Sequence, residues 1–138
     1  MKVSVIIPVR NEELLIKKII DQLENELKNL SHEIIFINDF STDNTSKIIE
    51  EVIKTKDTIN LYENTKRGLG GAITEGINRA EGEAVCIMMS DLSDDIDDLK
   101  KYYNIIKDEK VDAVFGSRFI NESKIVNYPK KKLILNRI

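Results

Sequence analysis

Apolar residues fall along this chain in two alternating periods. Short β-branched runs alternate with stretches in which apolar side chains recur every three to four positions. Val3-Ser4-Val5-Ile6-Ile7 is the first run, a buried strand that Pro8 is expected to stop. Leu14, Leu15, Ile19, Leu23 and Leu27 then recur at helical spacing as far as Leu30, and Glu12 and Glu13 suit the positive end of that helix. Glu33 to Ile37 reads as a second strand. Ser41-Thr42-Asp43-Asn44 supplies N-cap candidates for a helix whose apolar face is Ile48, Ile49, Val52 and Ile53. Thr58 to Tyr62 is a short third strand. Gly68, Gly70 and Gly71 precede a helix expected from Ala72 to Ala80, with Gly82 near its C-cap. Glu83 to Met89 is a continuous apolar strand, Ile96 to Lys107 a helix with an acidic start, and Val111 to Phe115 a fifth strand. This order predicts an α/β fold with a mainly parallel sheet and helices on both faces. No repeat or low-complexity segment interrupts it.

Composition narrows the function classes. A chain of 138 residues with 41% hydrophobic and 33% charged residues is expected to be a single soluble domain, residues 1–138. A net charge of -3 argues against a duplex-binding protein, and 6% aromatic residues with no Trp argue against a platform for single-stranded nucleic acid. One Cys and one His exclude an internal disulfide and a structural zinc site. Cys86 lies in the apolar run Ala84 to Met89 and reads as a buried, inert thiol. No apolar run approaches the ~18 residues of a membrane span. Val3 to Val9 is too short for a signal peptide and runs into Arg10-Asn11-Glu12-Glu13, so a cytoplasmic protein is expected.

Charge is also polarised along the chain. Glu81 to Asp98 holds seven acids and no base, whereas Gly116 to Ile138 holds six bases and one acid. Two solvated faces would account for this. The acidic run, however, begins directly after a buried strand. In open parallel sheets ligands bind beyond the carboxyl ends of the strands. That rule selects Pro8, Arg10, Asn11 and Glu12; Asn38, Asp39 and Asp43; Asn64, Lys66, Arg67 and the glycines; Ser90, Asp91, Ser93, Asp94 and Asp95; and Gly116, Ser117 and Arg118. Five loops thus bring polar residues to one edge.

Each loop has its own chemistry. Asp91, with Ser93, Asp94 and Asp95 behind it, suits a hard divalent ion such as Mg²⁺, which takes one or two carboxylates and fills its other positions with water and phosphate. Ser93 to Asp95 equally suit capping of the next helix. Gly68-Leu69-Gly70-Gly71 opens a helix, where backbone N–H groups can approach an anion, and Lys66 and Arg67 beside it suit a diphosphate. The spacing matches neither the dinucleotide fingerprint nor a Walker A loop, and a plain turn is the alternative. Asp39 can accept hydrogen bonds from a ribose or nucleobase; an Asx-turn into the next helix is the alternative, better suited to Asp43.

Taken together, these residues resemble a known family. Val3-Ser4-Val5-Ile6-Ile7-Pro8-Val9-Arg10-Asn11-Glu12 is similar to the opening of family 2 glycosyltransferases of the GT-A fold, and Asn38-Asp39-Phe40-Ser41-Thr42-Asp43 to their D-D-G-S-x-D motif. Asn64 to Gly71, Gly76 and Ala80-Glu81-Gly82 resemble the family's glycine-rich stretch, and Met88 to Asp95 its metal-binding D-x-D strand end. Phe115-Gly116-Ser117-Arg118-Phe119, Asn127-Tyr128-Pro129 and Asn136-Arg137 resemble the polyprenyl-phosphate sugar transferase branch, of the dolichol-phosphate mannose or glucose synthase kind.

The resemblance implies inverting transfer of a hexose from a UDP- or GDP-sugar to a dolichyl or undecaprenyl phosphate. It implies that Pro8, Arg10, Glu12 and Asp39 line the nucleoside pocket, that Lys66, Arg67, Gly68, Gly70 and Ser90 complete the nucleotide-sugar site, that Asp91 with Ser93 holds Mg²⁺ or Mn²⁺, and that Arg118 meets the acceptor or departing phosphate. A phosphate acceptor is already largely ionised at neutral pH (second pKa about 6), so it needs little general-base help. Three departures stand out. Met89 replaces the first Asp of D-x-D. Asn38 and Phe40 replace the first Asp and the Gly of the second-strand motif. The chain stops at Ile138, so the acceptor-side region of the family is expected to be missing from it. The basic C-terminal stretch is expected to contact an anionic membrane face peripherally, or to be a solvated end. The competing expectations are a donor-binding fragment completed by a partner chain or homo-oligomer, and, remotely, a receiver-like signalling domain.

Overall fold

The computed structural model of the chain describes residues 1–109 and 111–116. Strands and helices alternate as β1 (Val3–Val9), α1 (Ile16–Leu27), β2 (His32–Asn38), α2 (Thr45–Ile53), β3 (Ile59–Glu63), α3 (Leu69–Arg79), β4 (Ala84–Ile87) and α4 (Ile96–Glu109). All pairings are parallel, in the order β3-β2-β1-β4. The chain first builds to one side of β1 and then, after α3, crosses to the other. The strand order therefore reverses between β1 and β4, and a parallel sheet opens for ligands at the carboxyl end of such a reversal.

Register sharpens that point. β1 and β2 stay paired from Val3↔His32 to Val9↔Asn38, whereas β4 follows β1 only from Val3↔Ala84 to Ile6↔Ile87. Pro8 was expected to end the first strand, yet β1 runs through it to Val9. The reason is local. In a parallel strand, successive residues direct their backbone groups to opposite neighbours. Ile6 gives its carbonyl to Met88 N–H on the β4 side at 3.0 Å, and Val9 gives its own to Asp39 N–H on the β2 side at 2.8 Å. Pro8 faces the β4 side, where pairing has already stopped, so its missing N–H removes no ladder bond.

The two sheet faces bury different helices. Val3, Val5, Ile7 and Val9 of β1, with Ile34 and Phe36 of β2, meet Ile16, Ile19, Ile20, Leu23 and Leu27 of α1, Ile49 of α2 and Leu99 of α4. On the other face Ile6, Ile35 and Ile37 meet Ala72 of α3. That helix sits unusually close to the sheet: a Cβ added at Gly76 would collide with the Ile6 side chain. Helices on both faces are as expected.

A buried polar cluster closes the amino end of the sheet. Glu33 Oε1 accepts from Ser4 Oγ at 2.5 Å and from Glu81 N–H at 2.8 Å, and Ser4 Oγ accepts from Gly82 N–H at 2.8 Å. Burial penalises the Glu33 charge, but these donors and Lys2 outweigh it and hold the carboxyl below its ordinary pKa.

The structure corrects several expectations. Val111 to Phe115 forms no strand; Phe115 is 89% exposed. Its apolar content, with Val111, Val114 and Phe115, suits a strand, but strand formation needs a paired neighbour, and β4 is paired only with β1 among the described residues. Helix α3 starts at Leu69, not Ala72, so Gly70 and Gly71 lie inside its first turn and only Gly68, at φ 106°, forms the turn before it. Ala80, not Gly82, is its C-cap. Gly82 instead allows close approach to Ser4, which a Cβ would invade. Cys86 is only partly buried, although burial first and then the Asp94 charge push its thiol up to about 11, as an inert thiol requires.

The α3 seat gives a stability prediction. Gly76→Ala gains helix propensity of up to about 1 kcal/mol but forces a methyl into Ile6. We expect net destabilisation of about 1–2 kcal/mol by urea unfolding, and a smaller penalty for Gly76→Ala in an Ile6→Ala background, which removes the Cγ2 methyl it would meet.

Candidate functional site at the carboxyl edge of the sheet

Four loops meet beyond the strand ends, and one carboxylate ties two of them together. Asp39, 6% exposed, follows β2. Its Oδ1 accepts from Asn64 Nδ2 at 2.7 Å and from Gly68 N–H at 2.8 Å. Asn64 also donates to the Gly68 carbonyl at 3.2 Å and accepts from Lys66 N–H at 3.1 Å. The turn before α3 is thereby folded onto the end of β2. Asp39 Oδ2 lies 3.8 Å from the Arg10 guanidinium. Burial opposes the Asp39 charge, but Gly68 N–H, the Asn64 amide and the Arg10 and Arg67 charges more than compensate, so its pKa is lowered.

The expected Asx-turn falls on Asp43, not Asp39. Asp43 Oδ1 accepts from Thr45 N–H at 3.0 Å at the start of α2, and its Oδ2 accepts from Glu13 N–H at 3.1 Å. Around it the β1–α1 and β2–α2 loops clasp each other. Asn11 accepts from Thr42 N–H at 2.8 Å and donates its own N–H to Ser41 Oγ at 3.1 Å. Glu12 N–H donates to Thr45 Oγ1 at 2.8 Å.

The departure at Asn38 has a physical reason. Its amide donates to both Glu63 oxygens, at 3.1 and 2.9 Å, while its Oδ1 accepts from Ser41 N–H at 3.0 Å. Asn38 and Glu63 are ladder partners. An Asp there would set two carboxylates against each other.

The remaining predicted residues distribute as follows. Pro8 is buried at the end of β1, and Arg10 is exposed just beyond it. Glu12 reaches across to the β4–α4 loop, accepting from buried Ser90 Oγ at 3.4 Å. Lys66, Arg67 and Gly70 are exposed around the N-terminus of α3, and the Arg67 guanidinium lies 5.1 Å from the centroid of the Phe40 ring. A Cβ at Gly71 would collide with the Lys66 carbonyl, so this loop closes only with glycine there. Asp91 and Ser93 are exposed, and Asp91 Oδ1 accepts from Ser93 N–H at 2.9 Å. Asp95 accepts from Asp97 N–H at 3.0 Å and so takes the capping role at α4, while Asp94 accepts from Met89 N–H at 2.9 Å. Arg118 lies outside the described residues. An open groove of about 500 Å³ runs along α3 between Lys66 and Asn78, apart from Asp39, Glu12 and Asp91.

Backbone strain concentrates at the same edge. Among the described residues, Asn11, Phe40 and Leu92 are the non-glycine residues with positive φ, at 55°, 58° and 57°. Each lies in a different one of these loops, and such strain gathers at functional sites. The sequence reading missed the clasp of Ser41 and Thr45 and the Glu63 partner of Asn38. Hydroxyl residues flanking Asp43, and an acid at the end of the third strand, were the available signals.

The family model for Glycosyl transferase family 2 matches residues 4–138. The chain belongs to glycosyl transferase family 2. It is similar to the dolichol-phosphate mannosyltransferase of Pyrococcus furiosus, 30% identical over 138 residues covering 99% of this chain and 39% of that protein. It is also similar to the dolichyl-phosphate beta-glucosyltransferase ALG5A of Trichomonas vaginalis, 30% identical over 95% of this chain and 44% of that one. Among solved structures, the mannosyltransferase PcManGT of Pyrobaculum calidifontis in complex with GDP-Man and Mn²⁺ matches with a TM-score of 0.68 and 29% identity, over 79% of this chain and 33% of that chain. The family member described here thus spans less than half the length of these relatives, and its parallel sheet with flanking helices is of the GT-A type.

Asp39→Ala leaves the Asn64 amide and Gly68 N–H without their acceptor, which costs about 1–3 kcal/mol in chemical unfolding at neutral pH. Because the folded-state pKa is lowered, the wild-type advantage is fully present above the unfolded value of about 3.9 and is lost as pH falls through the folded value. The gap between wild type and variant is therefore expected to narrow below about pH 4.

Proposed function

We propose that these residues build the donor site of a glycosyltransferase that moves a hexose from a UDP- or GDP-sugar to a polyprenyl phosphate, dolichyl or undecaprenyl, with inversion at the anomeric carbon. The observation that carries this reading is the lock of Asp39 onto Gly68 and Asn64, which draws the N-terminus of α3, with Lys66 and Arg67, onto the carboxyl end of β2. The similarity to dolichol-phosphate mannosyltransferase supports the acceptor class.

In this reading Pro8, Arg10, Glu12 and Asp39 line the nucleoside pocket. Lys66, Arg67, Gly68 and Gly70 face the diphosphate, where α3 adds the positive end of its dipole. Ser90 orients Glu12. No group of three Asp, Glu, His or Cys side chains that could hold a metal exists among the described residues. An all-oxygen site with Asp91 as its carboxylate and Ser93 beside it fits an ion such as Mg²⁺ or Mn²⁺ that draws its other ligands from water and diphosphate. Such an ion supplies charge neutralisation for the departing nucleoside diphosphate. Lys66 and Arg67 contribute to the same end, and the acceptor phosphate attacks already ionised. Arg118 is assigned to the acceptor or departing phosphate. The basic stretch from Arg118 to Arg137 is assigned to peripheral contact with the anionic cytoplasmic membrane face. Among the described residues no helix is long and apolar enough to cross a membrane.

A second reading is donor binding without transfer; the chain spans 39% of the mannosyltransferase's length, so the transfer step is tested apart from donor binding.

Thermal unfolding with UDP- and GDP-sugars, with and without Mn²⁺, tests the donor site. A ligand at 100 times its Kd stabilises the fold by about 2.7 kcal/mol, a shift of several degrees. We expect a metal-dependent shift with one nucleotide class, abolished in Asp91→Ala. Absence of any shift from a cooperatively melting chain would sink the reading. Hexose transfer to a radiolabelled polyprenyl phosphate then separates the two alternatives.

A further inference from the structure

Phe40 occupies the position at which the family motif resembled by residues 38–43 has glycine. Its backbone is left-handed, φ 58°, a region that disfavours residues with a Cβ. The fold gives this ring little in return. Phe40 is 43% exposed and belongs to neither hydrophobic cluster. Its ring contact is with Arg67, whose guanidinium sits 5.1 Å from the ring centroid. An aromatic ring held out of the core, in a strained conformation, directly beside the locked carboxylate of Asp39 is placed for a ligand.

The structure assigns a role to it: we propose that the Phe40 ring, backed on one face by Arg67, is a stacking platform for the nucleobase of the donor. This rests on the donor-site reading above and names a binding residue within it. The chemistry is that of a planar π-system. A purine or a pyrimidine stacks on an aromatic face regardless of its hydrogen-bonding edge, and a guanidinium on the opposite face polarises the ring. The neighbours fit a nucleotide in that order. Asp39, which precedes Phe40 in the chain and lies 3.8 Å from the Arg10 guanidinium, offers charged partners, and Arg67 links the ring to Lys66 and the N-terminus of α3, where the diphosphate is assigned. Arg67 thereby couples base and phosphate recognition.

The test measures Kd by calorimetry for UDP and GDP, which carry no hexose, on the purified chain. Phe40→Gly removes the ring while accepting the left-handed backbone without strain, so the loop keeps its course, and retention of a cooperative melt verifies the fold. We expect the Kd of the bound nucleotide to rise between about 5-fold and about 150-fold, the range for loss of one base–aromatic stack. Phe40→Trp is expected to keep wild-type affinity. Phe40→Gly in an Arg67→Ala background asks whether the ring acts on the base or only through Arg67: a further loss of affinity supports stacking, and no further loss overturns it. Unchanged or tighter binding by Phe40→Gly also overturns the platform while leaving the donor site standing. If the wild type binds neither UDP nor GDP, the donor-site reading itself fails, and the platform with it.

Discussion

A carboxylate sealed from solvent must find donors, and here the donors belong to another loop. Asp39 meets that requirement with Gly68 N–H and the Asn64 amide, so the end of β2 and the start of α3 become one unit. The rest of the edge depends on it. Arg67 is brought over Phe40, and the N-terminus of α3 is held at the carboxyl end of β2. The other end of α3 is fixed by packing, since Ala72 and Gly76 let the helix settle directly on the sheet. A hydrogen-bonded lock at one end and a small-residue seat along the shaft leave the glycine turn little freedom to wander.

The loop after β1 is held on a different principle. Side-chain oxygens of Asn11, Ser41, Asp43 and Thr45 take up backbone N–H groups across the gap between two loops, which neither helix satisfies by itself. Such mutual capping leaves the unusual backbone angles of Asn11 and Phe40 standing as a property of the assembled edge, not of either segment alone.

Much of this was legible in the residues. Short β-branched apolar runs alternating with apolar residues at helical spacing located β1 to β4 and all four helices to within a few positions, because the sheet is covered on both faces and each helix buries one. The rule that parallel sheets bind ligands beyond their strand ends gathered Arg10, Glu12, Asp39, Lys66, Arg67, Ser90 and Asp91 to one edge before any coordinates. What was not legible depends on pairing at a distance. Pro8 looked like a terminator because its sequence neighbours do not reveal which strand its nitrogen faces. Asn38 looked like a damaged motif because Glu63, its compensating partner, lies on another strand. Val111 to Phe115 carries the β-branched and aromatic residues of a strand, but such content says nothing about whether an edge receives it. The start of α3 was misplaced because glycine propensity argues against a helix where the loop's anchorage to Asp39 imposes one.

The short register of β4 also bears on how molecules of this chain meet one another. Among the described residues β4 is an edge strand, and its Val85 and Ile87, 41% and 45% exposed, lie beside Ser4 and Ile6 on the α3 face of the sheet, at a part of it that α3 leaves open. Unprotected, a strand of that kind templates sheet growth from one molecule to the next. Here the strand is brief and bracketed by charge: Glu81 and Glu83 stand before it, Asp91 and Asp94 after it. Two copies presenting the same edge would bring those acids together. The acidic run that drew notice in the sequence thus doubles as a gatekeeper, keeping an apolar strip available within the chain while discouraging its use between chains.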